Sequence, residues 1–326
     1  MGGMSIELSE LRDAAQKAFP ADHLAPPRDT GWSAMAEMGW LMLPLSEDAG
    51  GLGLGRAALA TIHAEMGRML SRAPLVPALG VLRALESGEA LADRGQWLER
   101  LATGEYIAAS LDFTDASPGT LRAVPDADMA SHVLVTAPGL VALAPTADAT
   151  LAETRLWDDT RRLFDVTPGA SLTVVARGAG AEAITARLRE DLMLGIAADA
   201  LGGAGAVLAM TVDYLRTRRQ FERPLAMFQA LKHRCADLKT QIEAAEALLF
   251  ARAVEGARAQ DIGAMKALAC ETFRFTAEEA IQLHGGIGLT QEHACHRFMK
   301  RAELNCWLAG SADALNEAAG RAELAG

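Results

Sequence analysis

Residues 213–236 read D-Y-L-R-T-R-R-Q-F-E-R-P-L-A-M-F-Q-A-L-K-H-R-C-A. Arg216, Arg218, Arg219 and Arg223 fall within eight residues around Phe221, and the turn at Pro224 leads into a long helical pattern. In a chain of formal net charge −11 such a cluster calls for an anionic neighbour. A planar guanidinium makes forked, charge-assisted hydrogen bonds to phosphate or carboxylate, and an adjacent aromatic covers the apolar face of a ligand. The competing reading is a solvated basic face paired with surface carboxylates.

Downstream, residues 281–288 read I-Q-L-H-G-G-I-G, three glycines in four positions closing a long helical segment. Glycines there permit positive φ and let the backbone approach a ligand, although a helix C-cap followed by a turn is their commoner use. Taken together, R-x-Q-F-x-R-P-x-x-x-F-Q and Q-L-H-G-G-x-G, about sixty residues apart, resemble the C-terminal domain of the acyl-CoA dehydrogenase family of flavoproteins.

The 326 residues are enough for two or three domains, and half of them are hydrophobic with only 5% aromatic, which suits a mostly helical enzyme with closely packed helices. No apolar run approaches a membrane span, and M-G-G-M-S-I-E-L-S-E lacks a basic and apolar leader. Cys235, Cys270, Cys295 and Cys306 lie in helical contexts without C-x-x-C spacing, as reduced core or interface thiols do, so a cytoplasmic location is expected. A pI near 5.2 argues against a nucleic-acid surface.

Hydrophobic periodicity divides the chain. Residues 1–104 alternate helical patterns with proline- and glycine-rich breaks; Leu8, Leu11, Ala15 and Phe19 share one helical face, and Ala57 to Leu70 form a long helix after G-G-L-G-L-G-R. That glycine run is no dinucleotide fingerprint, because Arg56 stands where the third glycine is needed. Residues 105–178 carry short β-like runs, Y-I-A-A-S-L, S-H-V-L-V-T-A, L-V-A-L-A-P and S-L-T-V-V-A-R, expected to form a small antiparallel β domain. Residues 179–326 return to helical spacing: Leu208, Val212 and Leu215; then Leu231, Cys235, Leu238, Ile242 and Leu249 on a helix expected to reach about Ala259; then Met265, Leu268, Phe273, Ala277 and Ile281. The expected fold is mainly α with a small β domain, and the resemblance implies an N-terminal helical domain, a truncated middle β domain and a C-terminal four-helix bundle.

The resemblance implies α,β-dehydrogenation of an acyl-CoA thioester, with FAD taking hydride and a carboxylate taking the α-proton. It also implies an FAD held between two subunits. Carried over residue by residue, Arg218 faces the pyrophosphate, Gln220 and Phe221 lie alongside the cofactor, and Gln282 with the backbone of Gly285 and Gly286 takes the adenosine-diphosphate portion. The usual glycine after the phenylalanine is Glu222 here. The family's ring-binding loop is missing, since Ser110 to Asp115 runs almost directly into Pro118 and Gly119, with Thr114 as a candidate remnant. The usual base position is Ala309, followed by Gly310 and Ser311, and an alanine cannot take a proton. The alternative base position of some branches is Leu192, followed by Met193 where an arginine is common; Asp191 and Glu190 adjoin it as fallback candidates. One residue along a helix is a rotation of about 100°, so these two are read as a solvated helix start. His293, Cys295 and His296 lack further ligands at metal-site spacing, and His284 abuts the glycine loop as a packed or cleft-lining residue.

Three functions are compatible with these residues. The first is a subunit of a heteromeric FAD-dependent acyl-CoA dehydrogenase that grips flavin for a homologous partner carrying the base, acting on bulky thioesters such as degraded sterol side chains. The second is a self-sufficient homodimeric dehydrogenase with a displaced carboxylate, and the third is a non-catalytic helical scaffold.

Overall fold

A computed structural model describes residues 7–20, 23–113 and 119–325. Five helices come first: α1 (Leu8–Ala18), α2 (Arg28–Glu37), α3 (Arg56–Arg68), α4 (Leu75–Glu86) and α5 (Arg94–Ala102). Leu11, Ala15 and Phe19 of the first face are buried, whereas Leu8, one turn earlier, is exposed.

Seven strands follow: β1 (Ile107–Ala109), β2 (Leu121–Pro125), β3 (His132–Ala137), β4 (Leu140–Pro145), β5 (Thr150–Thr154), β6 (Leu163–Thr167) and β7 (Thr173–Arg177). They form two sheets, of order β1-β3-β4-β7 and β2-β6-β5. The expected all-antiparallel domain is corrected at one edge, where β1 pairs with β3 in parallel. The cause is topological: β2 intervenes in sequence but belongs to the other sheet, so the chain crosses over before β3 joins β1 in the same direction.

The remainder is helical: α6 (Gly178–Thr217), the short hairpin β8 (Arg219–Gln220) and β9 (Arg223–Pro224), α7 (Gln229–Arg252), α8 (Ala259–His284), α9 (Cys295–Trp307) and α10 (Ala312–Ala325). Helices α6 to α9 pack as a bundle, with α10 laid on α8. α7 ends at Arg252, short of the expected Ala259. In the α8 stripe Met265, Phe273 and Ala277 are buried, but Leu268 is 43% exposed and points away from the core. α6 is long and apolar enough to span a membrane by composition, yet 78% of its most apolar window is buried inside the protein.

α6 crosses α3 at backbone contact distance, which glycine makes possible. A Cβ on Gly202 would lie 1.8 Å from the Ala64 carbonyl, and one on Gly67 would lie 1.9 Å from that of Asp199. Beside this crossing Arg301 of α9 is fully buried and reaches all three parts of the chain. Its Nε donates to Asp158 at 3.1 Å, Nη1 to Asp199 at 3.0 Å, and Nη2 to Thr160 Oγ1 at 2.6 Å and the Ser71 carbonyl at 2.9 Å. Arg161 pairs with Asp199 at 3.1 Å, and the Asn305 amide donates to it at 2.7 Å. Burial pushes the Asp199 carboxyl up, but Arg161 and Arg301 outweigh it and hold the group below its usual range.

His63 on α3 is also buried. Burial lowers its pKa to about 4, against a raising influence from Asp199 and with a smaller lowering one from Arg161. The folded value lies below the unfolded one, so the unfolded chain binds the extra proton. Stability is therefore expected to be complete above about pH 6.5 and to fall by roughly 3 kcal/mol as pH drops towards 4. Urea denaturation at a series of pH values checks this, and His63→Met should flatten the slope attributable to this residue.

Candidate functional site

The arginine-rich stretch is a hairpin at the end of α6. Arg218 leaves the helix for an extended conformation while its N–H still bonds the Tyr214 carbonyl at 2.8 Å. Gln220 pairs with Arg223, and Phe221 and Glu222 form the two-residue turn with φ of 51° and 63°. Two successive left-handed residues are what a tight hairpin requires, so Glu222 adopts the backbone conformation that glycine takes most easily. The Arg219 Nη2 secures it by donating to the Glu222 carbonyl at 2.7 Å.

The four arginines have different fates. Arg216 pairs with Asp213 at 3.3 Å, Arg219 is tied to its own turn, and the Arg223 guanidinium lies 4.0 Å from the centre of the Phe228 ring. Arg218 is exposed and, among the described residues, its side chain has no hydrogen bond or ion pair. Phe221 is 83% exposed, with only the edge of Phe228 at 6.1 Å beside it. An unpaired guanidinium beside an uncovered aromatic suits an anionic ligand with an apolar face.

The glycine stretch closes α8. Gly285 has φ 66° and ψ −145°, a region essentially reserved for glycine. A Cβ on Gly285 or Gly286 would meet nothing within 4 Å, so this backbone faces open space, whereas one on Gly288 would come within 2.9 Å of the Ile281 carbonyl. Gln282, in the last turn of α8, is exposed. The Tyr214 ring, one turn before Arg218, stacks on the ring of His284 at 4.5 Å and 27°, immediately before Gly285. The hairpin and the glycine turn therefore lie at the same end of the bundle. An open backbone turn beside a free arginine fits the pyrophosphate and adenosine of a dinucleotide in charge and accessibility.

The base positions look different. Ala309 lies between α9 and α10, fully buried, with φ 55°, and its N–H donates to the Leu111 carbonyl at 2.7 Å. Leu192 is fully buried too, and a Cβ on Gly80 of α4 would contact it at 3.6 Å. The reading of Glu190 and Asp191 as a solvated helix start is corrected: α6 begins at Gly178, which puts them well inside it. Arg56 donates to Asp191 at 2.9 Å and to Glu190 at 2.6 Å, and Arg83 approaches the other Asp191 oxygen at 3.3 Å. Burial raises the Asp191 pKa, with Arg83 and Arg56 opposing it. The cavity beside it measures about 20 Å³, room for one water and not for an acyl chain.

On the β side, the Ser110 hydroxyl lies 2.6 Å from the Arg122 carbonyl and 2.8 Å from that of Asp112, which commits it to its own turn. Thr114 and Pro118, of the shortened loop, lie outside the described residues. A cleft of about 540 Å³ separates β1 and β3 from the first turns of α6, with the Arg189 guanidinium 5.3 Å from the Phe113 ring. His293 Nδ1 accepts from the Cys295 N–H at 3.2 Å, and His296 Nδ1 donates to the His293 carbonyl at 2.7 Å. Among the described residues no group of three metal-binding side chains forms.

Motif reading passed over Tyr214 and weighed His293 only as a metal ligand, and the rings of both flank His284. The available signal was spacing: Tyr214 lies four residues before Arg218, and His293 follows the glycine turn within one short loop.

A helical–β–helical plan ending in a bundle, with an arginine hairpin and a glycine turn at one end, is the arrangement that the resemblance to acyl-CoA dehydrogenases implied. Family models agree: the acyl-CoA dehydrogenase N-terminal domain matches residues 8–105 and the acyl-CoA dehydrogenase C-terminal domain residues 178–324. The acyl-CoA dehydrogenase IpdE2 of Mycolicibacterium smegmatis is 31% identical over 285 residues, covering 86% of this chain and 83% of the relative. A variant of the Tcur3481-Tcur3483 steroid ACAD superposes with a TM-score of 0.86 at 27% identity, over 98% of each chain. Butyryl-CoA dehydrogenase of Megasphaera elsdenii shares the fold, with a TM-score of 0.80 at 20% identity over 98% of this chain and 100% of that one. The chain belongs to the acyl-CoA dehydrogenase family.

Proposed function

We propose that this chain is the base-less subunit of a heteromeric, FAD-dependent acyl-CoA dehydrogenase, giving the pyrophosphate and adenosine side of a flavin site to a homologous partner. The observation that carries this reading is the full burial of Ala309, whose N–H is bonded to the Leu111 carbonyl. Leu192 at the alternative position, and the ion pairing of Asp191, support it further. In this reading residues 1–104, 105–178 and 179–326 are the helical, β and helical segments, and the last carries the cofactor contacts.

When bound, FAD supplies the acceptor for the hydride that leaves the β-carbon of the thioester. This chain's part is to bind and orient. Arg218 would hold the pyrophosphate, Gln220 and Phe221 would lie along the cofactor, and Gln282 with the N–H groups of Gly285 and Gly286 would take the adenosine diphosphate. Proton removal falls to the partner's carboxylate. Likeness to a steroid ACAD at 27% identity supports a bulky CoA thioester as the substrate of the assembled enzyme. Four free cysteines support a reducing, cytoplasmic setting.

Purification of the chain alone and with a homologous dehydrogenase bearing the glutamate tests this. The pair is expected to carry FAD and turn over, and the chain alone to do neither. Arg218→Ala in the pair should weaken FAD by about 10- to 100-fold, as loss of a charge-assisted hydrogen bond does. Stoichiometric FAD and full turnover from the chain alone would overturn the proposal.

A further inference from the structure

The two halves of the proposed grip are separated by more than sixty residues of sequence, and three rings join them. Tyr214 stacks on His284 at 4.5 Å and 27°. His293 lies against the same imidazole at 4.4 Å and meets Tyr214 edge-on at 6.2 Å. One ring comes from α6, one from the end of α8 and one from the segment after the glycine turn.

Hydrogen bonding fixes how these imidazoles are used. His284 Nδ1 is 2.7 Å from the Ala280 carbonyl, so that nitrogen carries the proton and donates. Its Nε2 is buried and has no partner among the described residues. His293 Nδ1 accepts from the Cys295 N–H at 3.2 Å. Burial lowers the pKa of both groups, which favours neutral rings that pack without charge repulsion. Stacked rings keep a defined separation, unlike aliphatic contacts that slide. Arg218 is one turn from Tyr214 and Gly285 is bonded to His284, so any change in ring spacing passes directly to both ligand-facing positions.

We propose that Tyr214, His284 and His293 are positioning residues, a three-ring clasp that sets the distance between Arg218 and the Gly285–Gly286 turn and thereby the affinity for a pyrophosphate-linked adenosine. The inference rests on the reading of that end of the bundle as the adenosine-diphosphate side of a flavin site.

Calorimetric titration of the flavin-free assembled pair with ADP as the probe, beside thermal melts of each variant, separates the two ideas. Tyr214→Leu is expected to weaken ADP roughly three- to tenfold, the size such a stack confers. Tyr214→Phe keeps the ring and should bind as the wild type does, a rescue that requires the aromatic face and not the hydroxyl. His293→Gln alters the half-buried outer ring, should melt near the wild-type temperature, and should also lose affinity; it decides the question if Tyr214→Leu does not fold. Unchanged ADP affinity in His293→Gln or in a folded Tyr214→Leu, with Arg218→Ala weakening ADP by about 10- to 100-fold, overturns the clasp and leaves the site reading standing. A flavin-free wild-type pair that does not bind ADP overturns both.

Discussion

Arg301→Met is expected to lower the unfolding free energy by about 3–5 kcal/mol, the usual consequence of removing one member of a buried ion pair. The cost arises less from the lost hydrogen bonds than from what stays behind. Asp158 and Asp199 are both buried, and with Arg301 gone Arg161, paired with Asp199, is the one cation left in an ion pair with them among the described residues. Arg301→Lys should not rescue, because a single ammonium cannot reach Asp158, Asp199, Thr160 and the Ser71 carbonyl as the planar fork does. Adding Asp199→Asn to Arg301→Met should recover part of the loss by removing the stranded charge. Because Arg301 joins the α3–α4 link, the β5–β6 loop and α6, the unfolding transition should also broaden as the three parts lose their common anchor. Guanidinium denaturation followed by far-ultraviolet circular dichroism measures both effects; a loss below about 1 kcal/mol would show that water or rearrangement compensates the carboxylates.

The same residues mark the limit of what could be read from the sequence. The arginine cluster and the Gly285 turn were legible, because guanidinium groups in an acidic chain and glycines at a helix end carry their chemistry in the side-chain type, but the hairpin was not: the turn expected at Pro224 lies at Phe221 and Glu222, with Pro224 in the returning strand. The helices of the bundle were legible from their apolar spacing, although Leu268 shows that a stripe does not say whether it faces the core or the outside. The contacts of Arg301 with Asp158 and Asp199 span 143 and 102 residues, and no local pattern announces such a meeting. The parallel β1–β3 pairing escaped for a related reason: strand content is written in alternation, but strand direction depends on which sheet the intervening strand joins. Asp191 was misplaced because its partners, Arg56 and Arg83, come from two helices of the N-terminal part.

Ala309→Glu is expected to yield a less stable chain and no dehydrogenase activity, although it restores the residue type that the family uses as base. The backbone there is already engaged with Leu111, and the new side chain would enter a fully buried environment. A carboxylate in such a place is disfavoured in its charged form, and its pKa rises by about 3 units or more, which at neutral pH corresponds to roughly 4 kcal/mol of lost stability. The sign sets the pH dependence. The folded pKa lies above the unfolded one, so the deficit relative to the wild type is absent below about pH 4.3, grows as pH rises and levels off above the raised value. Melting temperatures of the two proteins should therefore converge towards pH 4 and diverge towards pH 8. In the assembled pair the same substitution should leave turnover near the wild-type level wherever the fold survives, since in the proposed division of labour proton removal belongs to the partner's glutamate. A chain that gains turnover by itself through Ala309→Glu would instead place a working acyl pocket beside this position, and the division of labour between two subunits would have to be abandoned.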